Sequence, residues 1–182
     1  MKVIKTKFSG LLIIEPQVFP DERGFFLESY NQKDFAAAGL NALFVQDNHS
    51  RSVKGTLRGL HFQKPGFAQV KLVRCTFGEV YDVAVDLRQS SPTFKQWFGV
   101  TLSAENKKQF LIPRGFAHGF AVLSDFAEFQ YKCDDYYAPQ AEAGIRWNDP
   151  ELNIDWKTRA PVISGKDRDL PLLRELAPDY FF

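Results

Sequence analysis

Apolar residues fall along this chain in short bursts that suit strands, not at the three-and-four spacing of amphipathic helices. β-Branched and aromatic side chains fill the bursts, and Gly, Pro, Asn, Asp and Ser punctuate them. The first burst, Leu11 to Phe19, predicts a strand that ends at Pro20, with Pro20 to Gly24 (PDERG) as a turn and Phe25 to Tyr30 as a resumed strand. Asn31 then caps a short helix through NQKDFAAA, and Gly39 stops it. Predicted strands follow in series: Phe44 to Ser50, Thr56 to Gln63, Gln69 to Phe77, Glu79 to Asp86, Gln96 to Leu102, Gln109 to Ile112, Ala117 to Ser124 and Glu128 to Cys133. Turn signals at Lys54-Gly55, Pro65-Gly66, Phe77-Gly78, Ser91-Pro92 and Ala104 to Lys107 separate them. Beyond Tyr136 the pattern is irregular, with a closing helix predicted over Asp169 to Leu176 and an aromatic end, Tyr180-Phe181-Phe182.

Such a series leaves no room for the helices of βαβ units, so it predicts an all-β sandwich or barrel. Within that class a jelly roll encloses a cavity able to hold a ligand. No internal repeat, linker or low-complexity segment interrupts the chain, and 182 residues read as a single domain over 1–182.

Composition strengthens the β reading, because 18 Phe, six Tyr and three Trp favour pleated, half-buried surfaces. With 45% hydrophobic and 25% charged residues, disorder is excluded. A net charge of +1 makes no electrostatic case for nucleic acid as a partner. The apolar run Leu11 to Ile14 is too short for a signal-peptide core, and no stretch approaches the roughly 20 apolar residues of a membrane helix. Cys75 and Cys133 read as two buried, reduced thiols, which together with the missing signal predicts a cytoplasmic protein.

Chemistry concentrates in GTLRGLHFQKPGFAQVK, Gly55 to Lys71, which reads as a strand, a Pro65-Gly66 turn and a returning strand, with His61 and Lys71 on adjacent strands of one hairpin. Strand alternation puts Arg58 and His61 on opposite faces. For both to serve one site, Gly59 must mark a bulge, or Arg58 must reach round from the rim. Further on, Pro113-Arg114-Gly115-Phe116-Ala117-His118 matches part of the second cupin motif. A metal-binding cupin also needs a His-x-His pair and a nearby acid, whereas here His61 is followed by Phe62 and Gln63, and Lys71 would repel a divalent ion. The expectation is a cupin-type jelly roll without a metal.

Organic acid–base groups must then do the work. His61 suits a general base, provided that a carboxylate orients it. Asp167 in SGKDRD is one candidate for that carboxylate, and Asp82 and Asp86 are others. Tyr131 offers a phenolic proton, and Lys71 or Arg58 a positive charge for a developing oxyanion. Each residue type has an ordinary use as well: a strand His as a hydrogen-bonded core residue, a Tyr as sheet packing, an Asp as a helix cap, and Arg23, Glu28 and Arg114 as solvated loop charges.

The segments ERGFFLE, QDNHSRS, GTLRGLHFQ, QVKLVRCTFGEVYDVAVDLR, SPTFKQW, IPRGFAHGF, NDP and SGKD occur in this order. Together they resemble the dTDP-4-dehydrorhamnose 3,5-epimerase family from about Lys7 to Asp167. The resemblance implies a jelly-roll homodimer, often with exchanged strands, that needs no cofactor and inverts carbons 3 and 5 of a dTDP-linked 4-keto-6-deoxyhexose. It implies His61 as the base, oriented by Asp167, Tyr131 as the acid on the opposite face, and Lys71 as partner of the enolate oxygen with Arg58 nearby. It also implies Arg23, Glu28, Gln46, Asp47 and Asn48 as nucleotide contacts, His118, Glu142 and Lys166 as substrate contacts, and Phe19 and Phe26 as faces for the thymine ring. Relatives that invert one carbon or move the ketone share much of this pattern. A metal-dependent cupin oxygenase and a non-catalytic sugar-nucleotide-binding module are the readings from other classes.

Overall fold

The short apolar bursts become thirteen strands and two short helices in the computed structural model, which describes all residues, Met1–Phe182. In chain order these are β1 (Lys2–Lys5), β2 (Leu12–Glu15), β3 (Val18–Asp21), β4 (Gly24–Leu27), α1 (Gln32–Ala37), β5 (Gln46–Val53), β6 (Leu57–Gln63), β7 (Lys71–Phe77) and β8 (Glu79–Asp86). They continue as β9 (Trp97–Ser103), β10 (Gln109–Ile112), β11 (Phe116–Val122), β12 (Phe126–Cys133), β13 (Glu142–Gly144) and α2 (Gly165–Arg168). Two open sheets face each other as a cupin-like jelly-roll sandwich: six strands in the order β1-β2-β10-β7-β12-β5, and five in the order β13-β6-β11-β8-β9. The β3–β4 hairpin stands apart as its own two-stranded sheet.

Alternation decides what each sheet turns inward. On β12, Ala127, Phe129 and Cys133 are buried, while Glu128, Gln130 and Lys132 are only partly covered. Val73, Phe110 and Phe129 from one sheet pack against Ala84, Leu102 and Phe120 from the other. β11 breaks the alternation because all of its residues are buried. Its second face is covered by the C-terminal segment, where Ile145, Leu152, Trp156 and Leu173 join Leu57, Val83 and Ala117 in a second core.

Several predicted elements change on folding. The strand expected over Leu11 to Phe19 divides into β2 and β3, and β3 runs on through Pro20 to Asp21, which leaves Glu22-Arg23 as the turn. Proline is tolerated there because a two-stranded ribbon has open edges. Asn31 does cap α1, its side chain accepting from the Lys33 N–H. β5 begins and ends later than predicted, at Gln46 and Val53. No helix spans Asp169 to Leu176, since Pro171 cannot donate inside one; a 3₁₀ turn at Leu173–Glu175 replaces it. The largest revision concerns β6 and β7, which are not a hairpin. β6 pairs with β11 and β13, and β7 with β10 and β12, so both edges of each strand are already taken. Residues 64–70 therefore carry the chain from one sheet to the other. Cys75 and Cys133 are free and buried, and no helix is long and apolar enough to cross a membrane.

Candidate active site

Crossing between sheets puts His61 and Lys71 on opposite walls of one cavity of about 640 Å³, lined also by Arg58, His118, Tyr131 and Asp167. A recess of about 310 Å³ shares Asn48, His61, Lys71 and Tyr131 with it and adds Gln46, Tyr137 and Glu142. The facing conflict on β6 is settled at Gly59. His118 of β11 lies opposite His61 and Phe120 opposite Arg58, so two steps of β11 span three of β6. The extra residue is a bulge that returns Arg58 to the cavity side. Gly59 has φ +123°, and a Cβ there would lie 2.6 Å from the Gly119 Cα and 2.8 Å from the His118 carbonyl oxygen, so only glycine fits.

Two histidine–aspartate pairs stand side by side on this wall. His61 Nε2 is 2.7 Å from Asp167 Oδ1, and Asp167 Oδ2 accepts from the Gly59 N–H at 3.2 Å. Ser164 caps α2 by accepting from the Asp167 N–H at 3.1 Å, which fixes the carboxylate under the ring. Burial pushes the Asp167 carboxyl up, but the His61 ring, the Gly59 N–H and the Lys166 charge outweigh it and hold it below the usual carboxylate range. Of the three candidate carboxylates, Asp167 is therefore the one on His61. Asp82 serves His118 instead, with His118 Nε2 3.0 Å from both of its oxygens. Asp86 is enclosed by Arg88, Ser91 and Thr93 as a structural brace.

The facing sheet contributes Lys71 and Tyr131. Tyr131 lies opposite Val73 in the β12–β7 register, so Lys71 is its diagonal neighbour on the same face, with Nζ 5.8 Å from the ring centre. Burial lowers the Lys71 pKa, opposed by Cys133, Asp82 and Glu142, and burial raises that of the Tyr131 phenol. No buried side-chain nitrogen or oxygen lacks a partner. Lys71 Nζ, Tyr131 Oη and the Nδ1 atoms of both histidines make no hydrogen bond to protein, so they must open onto the cavity. Arg58 is steadied by two bonds of 3.1 Å, from Nε and a terminal N–H, to Ser52 Oγ. At the mouth Glu142 accepts from Lys166 Nζ at 2.7 Å and from Tyr137 Oη at 2.6 Å. Tyr137 escaped the sequence reading, since a Tyr-Tyr pair in an irregular segment carries no positional signal. No cluster of three or more His, Cys, Asp or Glu side chains is placed to hold a metal.

The wall pair, the facing phenol and the half-buried ammonium occur together with a family match over nearly the whole chain: the family model described as dTDP-4-dehydrorhamnose 3,5-epimerase covers residues 5–175. This chain belongs to the dTDP-4-dehydrorhamnose 3,5-epimerase family. It is 61% identical over 168 residues to the dTDP-4-dehydrorhamnose 3,5-epimerase of Shigella flexneri, covering 92% of this chain and 93% of the relative. A crystal structure of dTDP-6-deoxy-D-glucose-3,5-epimerase from Legionella pneumophila in complex with dTDP-4-keto-L-rhamnose superposes with a TM-score of 0.95 at 52% identity, covering 99% of this chain and 96% of that one. At greater distance, a dTDP-4-dehydrorhamnose 3-epimerase of Streptomyces niveus is 39% identical over 176 residues, 96% of this chain and 85% of the relative.

Not every residue implied by the dTDP-4-dehydrorhamnose 3,5-epimerase family meets in this cavity. Arg23 sits at the tip of the β3–β4 hairpin, paired with Asp21 at 2.6 Å. Phe19 and Phe26 face each other across that hairpin, 56% and 67% exposed, and Glu28 follows it at the surface. On β5, Gln46 and Asn48 turn inward, while Asp47 points outward to Lys132, 2.8 Å away. None of Arg23, Phe19, Phe26, Glu28 and Asp47 lines the recess or the wall carrying His61.

Proposed function

We propose that this protein is a dTDP-4-dehydrorhamnose 3,5-epimerase, converting dTDP-4-dehydro-6-deoxy-D-glucose to dTDP-4-dehydro-L-rhamnose in dTDP-L-rhamnose biosynthesis. The observation that carries the reading is one cavity with a carboxylate-oriented imidazole on one wall and a phenol beside an ammonium on the other. The C4 ketone of the substrate acidifies the C–H bonds at carbons 3 and 5. His61 Nδ1 takes one of these protons, the C–H electrons move into the ring as an enolate, and the Asp167 carboxylate stabilises the imidazolium. Lys71 Nζ donates to the enolate oxygen in a site where little water competes. Tyr131, kept protonated by its burial, returns a proton from the opposite face and so inverts the carbon. Once His61 has released its proton and Tyr131 has regained one by exchange with solvent, the same groups act on the second carbon, which the shared ketone also activates. Arg58 and Lys166 suit the diphosphate, since charge-assisted donors bind phosphate oxygens well.

The residues that stand away from the cavity fit a two-fold homodimer acting in the cytoplasm, in which each single-domain chain extends its β3–β4 hairpin to the other's nucleotide. In that arrangement Arg23, Glu28 and Asp47 contact the dTDP moiety, and Phe19 and Phe26 flank the thymine ring. No cofactor takes part. A single-carbon epimerase is the second reading, favoured by the Streptomyces relative. Incubation with dTDP-4-dehydro-6-deoxy-D-glucose in heavy water separates the two: deuterium at both carbons supports the 3,5-epimerase, and label at only one of them supports the second reading. His61→Ala should abolish labelling at both positions, and surviving exchange would mean that another base acts.

A further inference from the structure

The pair His118–Asp82 has no part in the proton transfers above, yet it is built as carefully as His61–Asp167. Asp82 is fully buried, and both of its oxygens converge on one atom, His118 Nε2. No other hydrogen bond reaches this carboxylate; burial pushes its pKa up while the His118 ring and the Lys71 charge oppose this, and a proton on Nε2, facing both oxygens, satisfies the ionised carboxylate. In the β11–β8 register Asp82 is opposite Phe120 and His118 opposite Ala84, which makes Asp82 and His118 diagonal neighbours on the inner face. The Phe129 ring lies beside the imidazole, with centroids 6.1 Å apart and the planes 21° from parallel. With Nε2 occupied, Nδ1 is the ring's only other polar atom, and it opens onto the cavity.

His118 is also the direct cross-strand neighbour of His61. A second imidazolium at that distance would oppose the proton transfer to His61, so a neutral ring suits the site. Of the charged groups lining the cavity, Lys71, Arg58 and Lys166 bring only donors and Asp167 is already engaged by His61 and the Gly59 N–H, while the hexose of the substrate also carries hydroxyl groups that need an acceptor.

We propose that Asp82 is a positioning residue: it locks His118 as the neutral Nε2–H tautomer, and His118 Nδ1 then accepts a hydrogen bond from a hydroxyl of the substrate's hexose ring. The hydroxyl assignment rests on the epimerase reading, whereas the tautomer does not. Long-range proton–nitrogen NMR on the ¹⁵N-histidine-labelled protein reads the tautomer directly, with His118→Gln assigning the signals. The expected result is a neutral His118 ring protonated at Nε2. A ring protonated at Nδ1, or at both nitrogens, would overturn the proposal. In Asp82→Asn, kcat/KM for the sugar nucleotide should fall about tenfold or more, as expected when one hydrogen bond to the substrate is weakened, while the Kd for dTDP, which lacks the hexose, stays within twofold. An Asp82→Asn enzyme with unchanged kcat/KM, or with dTDP binding lost in parallel, would also overturn it. Should that variant not fold, the wild-type tautomer still decides. A wild-type protein that places no deuterium in the sugar would refute the epimerase reading and leave the tautomer result standing by itself.

Discussion

Replacing Gly59 by alanine tests the feature on which the shared site depends. The methyl group would enter a gap where the Gly119 Cα is 2.6 Å and the His118 oxygen 2.8 Å away, both backbone atoms that cannot rotate aside. Two costs add. Holding a non-glycine residue at φ +123° costs about 1–2 kcal/mol. Forcing β6 and β11 apart to admit one methyl costs about 1–3 kcal/mol, as overpacking does elsewhere. The sum is a large share of the roughly 5–15 kcal/mol that stabilises a typical domain. At about 2–4 °C per kcal/mol for a chain of this size, the sum of about 2–5 kcal/mol should lower Tm by about 4–20 °C. Gly24→Ala provides the comparison, since Gly24 has φ +135° but nothing within 4 Å, so only the dihedral cost applies and the fall should be smaller. Function should suffer beyond stability. The Gly59 N–H holds Asp167, and the bulge aims Arg58, so at a temperature where Gly59→Ala is still folded its rate of deuterium incorporation should drop by an order of magnitude or more. Circular-dichroism melts and mass spectrometry of the sugar nucleotide give both numbers. A Gly59→Ala protein that melts like Gly24→Ala and exchanges at the wild-type rate would refute the close-approach argument.

Three further outcomes follow from the site and the core. In Tyr131→Phe, His61 can still remove a proton but nothing returns one from the other face, so inverted product should fall by about 10²–10⁴-fold, the range for a lost general acid, while solvent exchange without inversion persists; full inversion would reassign the acid. Because Asp167 is held below the usual carboxylate range, its pairing stabilises the fold above its unfolded pKa of about 3.9 and is lost as pH falls through the lower folded value. Urea titrations should therefore show the wild type losing its advantage over Asp167→Asn below about pH 4, and a gap that persists in acid would contradict the assigned pairing. Burial pushes both the Cys75 and Cys133 thiols up to about 11, so a disulfide reagent at pH 8 should find neither in the native protein and both after unfolding.

Much of this protein can be read from local chemistry. Alternating apolar runs and turn residues define an all-β chain, Asn31 announces its helix, and the conflict between Arg58 and His61 leaves two outcomes, an irregularity at Gly59 or an Arg58 reaching in from the rim, because a period of two otherwise sends them to opposite faces. The acid–base residue types can be read in the same way, since a ketone-activated proton needs an imidazole, a phenol and a cation. Pairings between distant segments cannot. Asp82, Asp86 and Asp167 are equivalent as letters, and only folding places Asp167 of α2 beneath His61, more than a hundred residues earlier in the chain. Likewise, the Pro65-Gly66 turn looks the same whether it closes a hairpin or feeds a crossover. The choice depends on which strands occupy the edges of β6 and β7, and those partners, β10 to β13, come later in the sequence. Strand propensity is set by each residue and its nearest neighbours, whereas strand partners are set by burial of the whole inner face, which is why the elements are legible in the sequence and the cavity exists only in the fold.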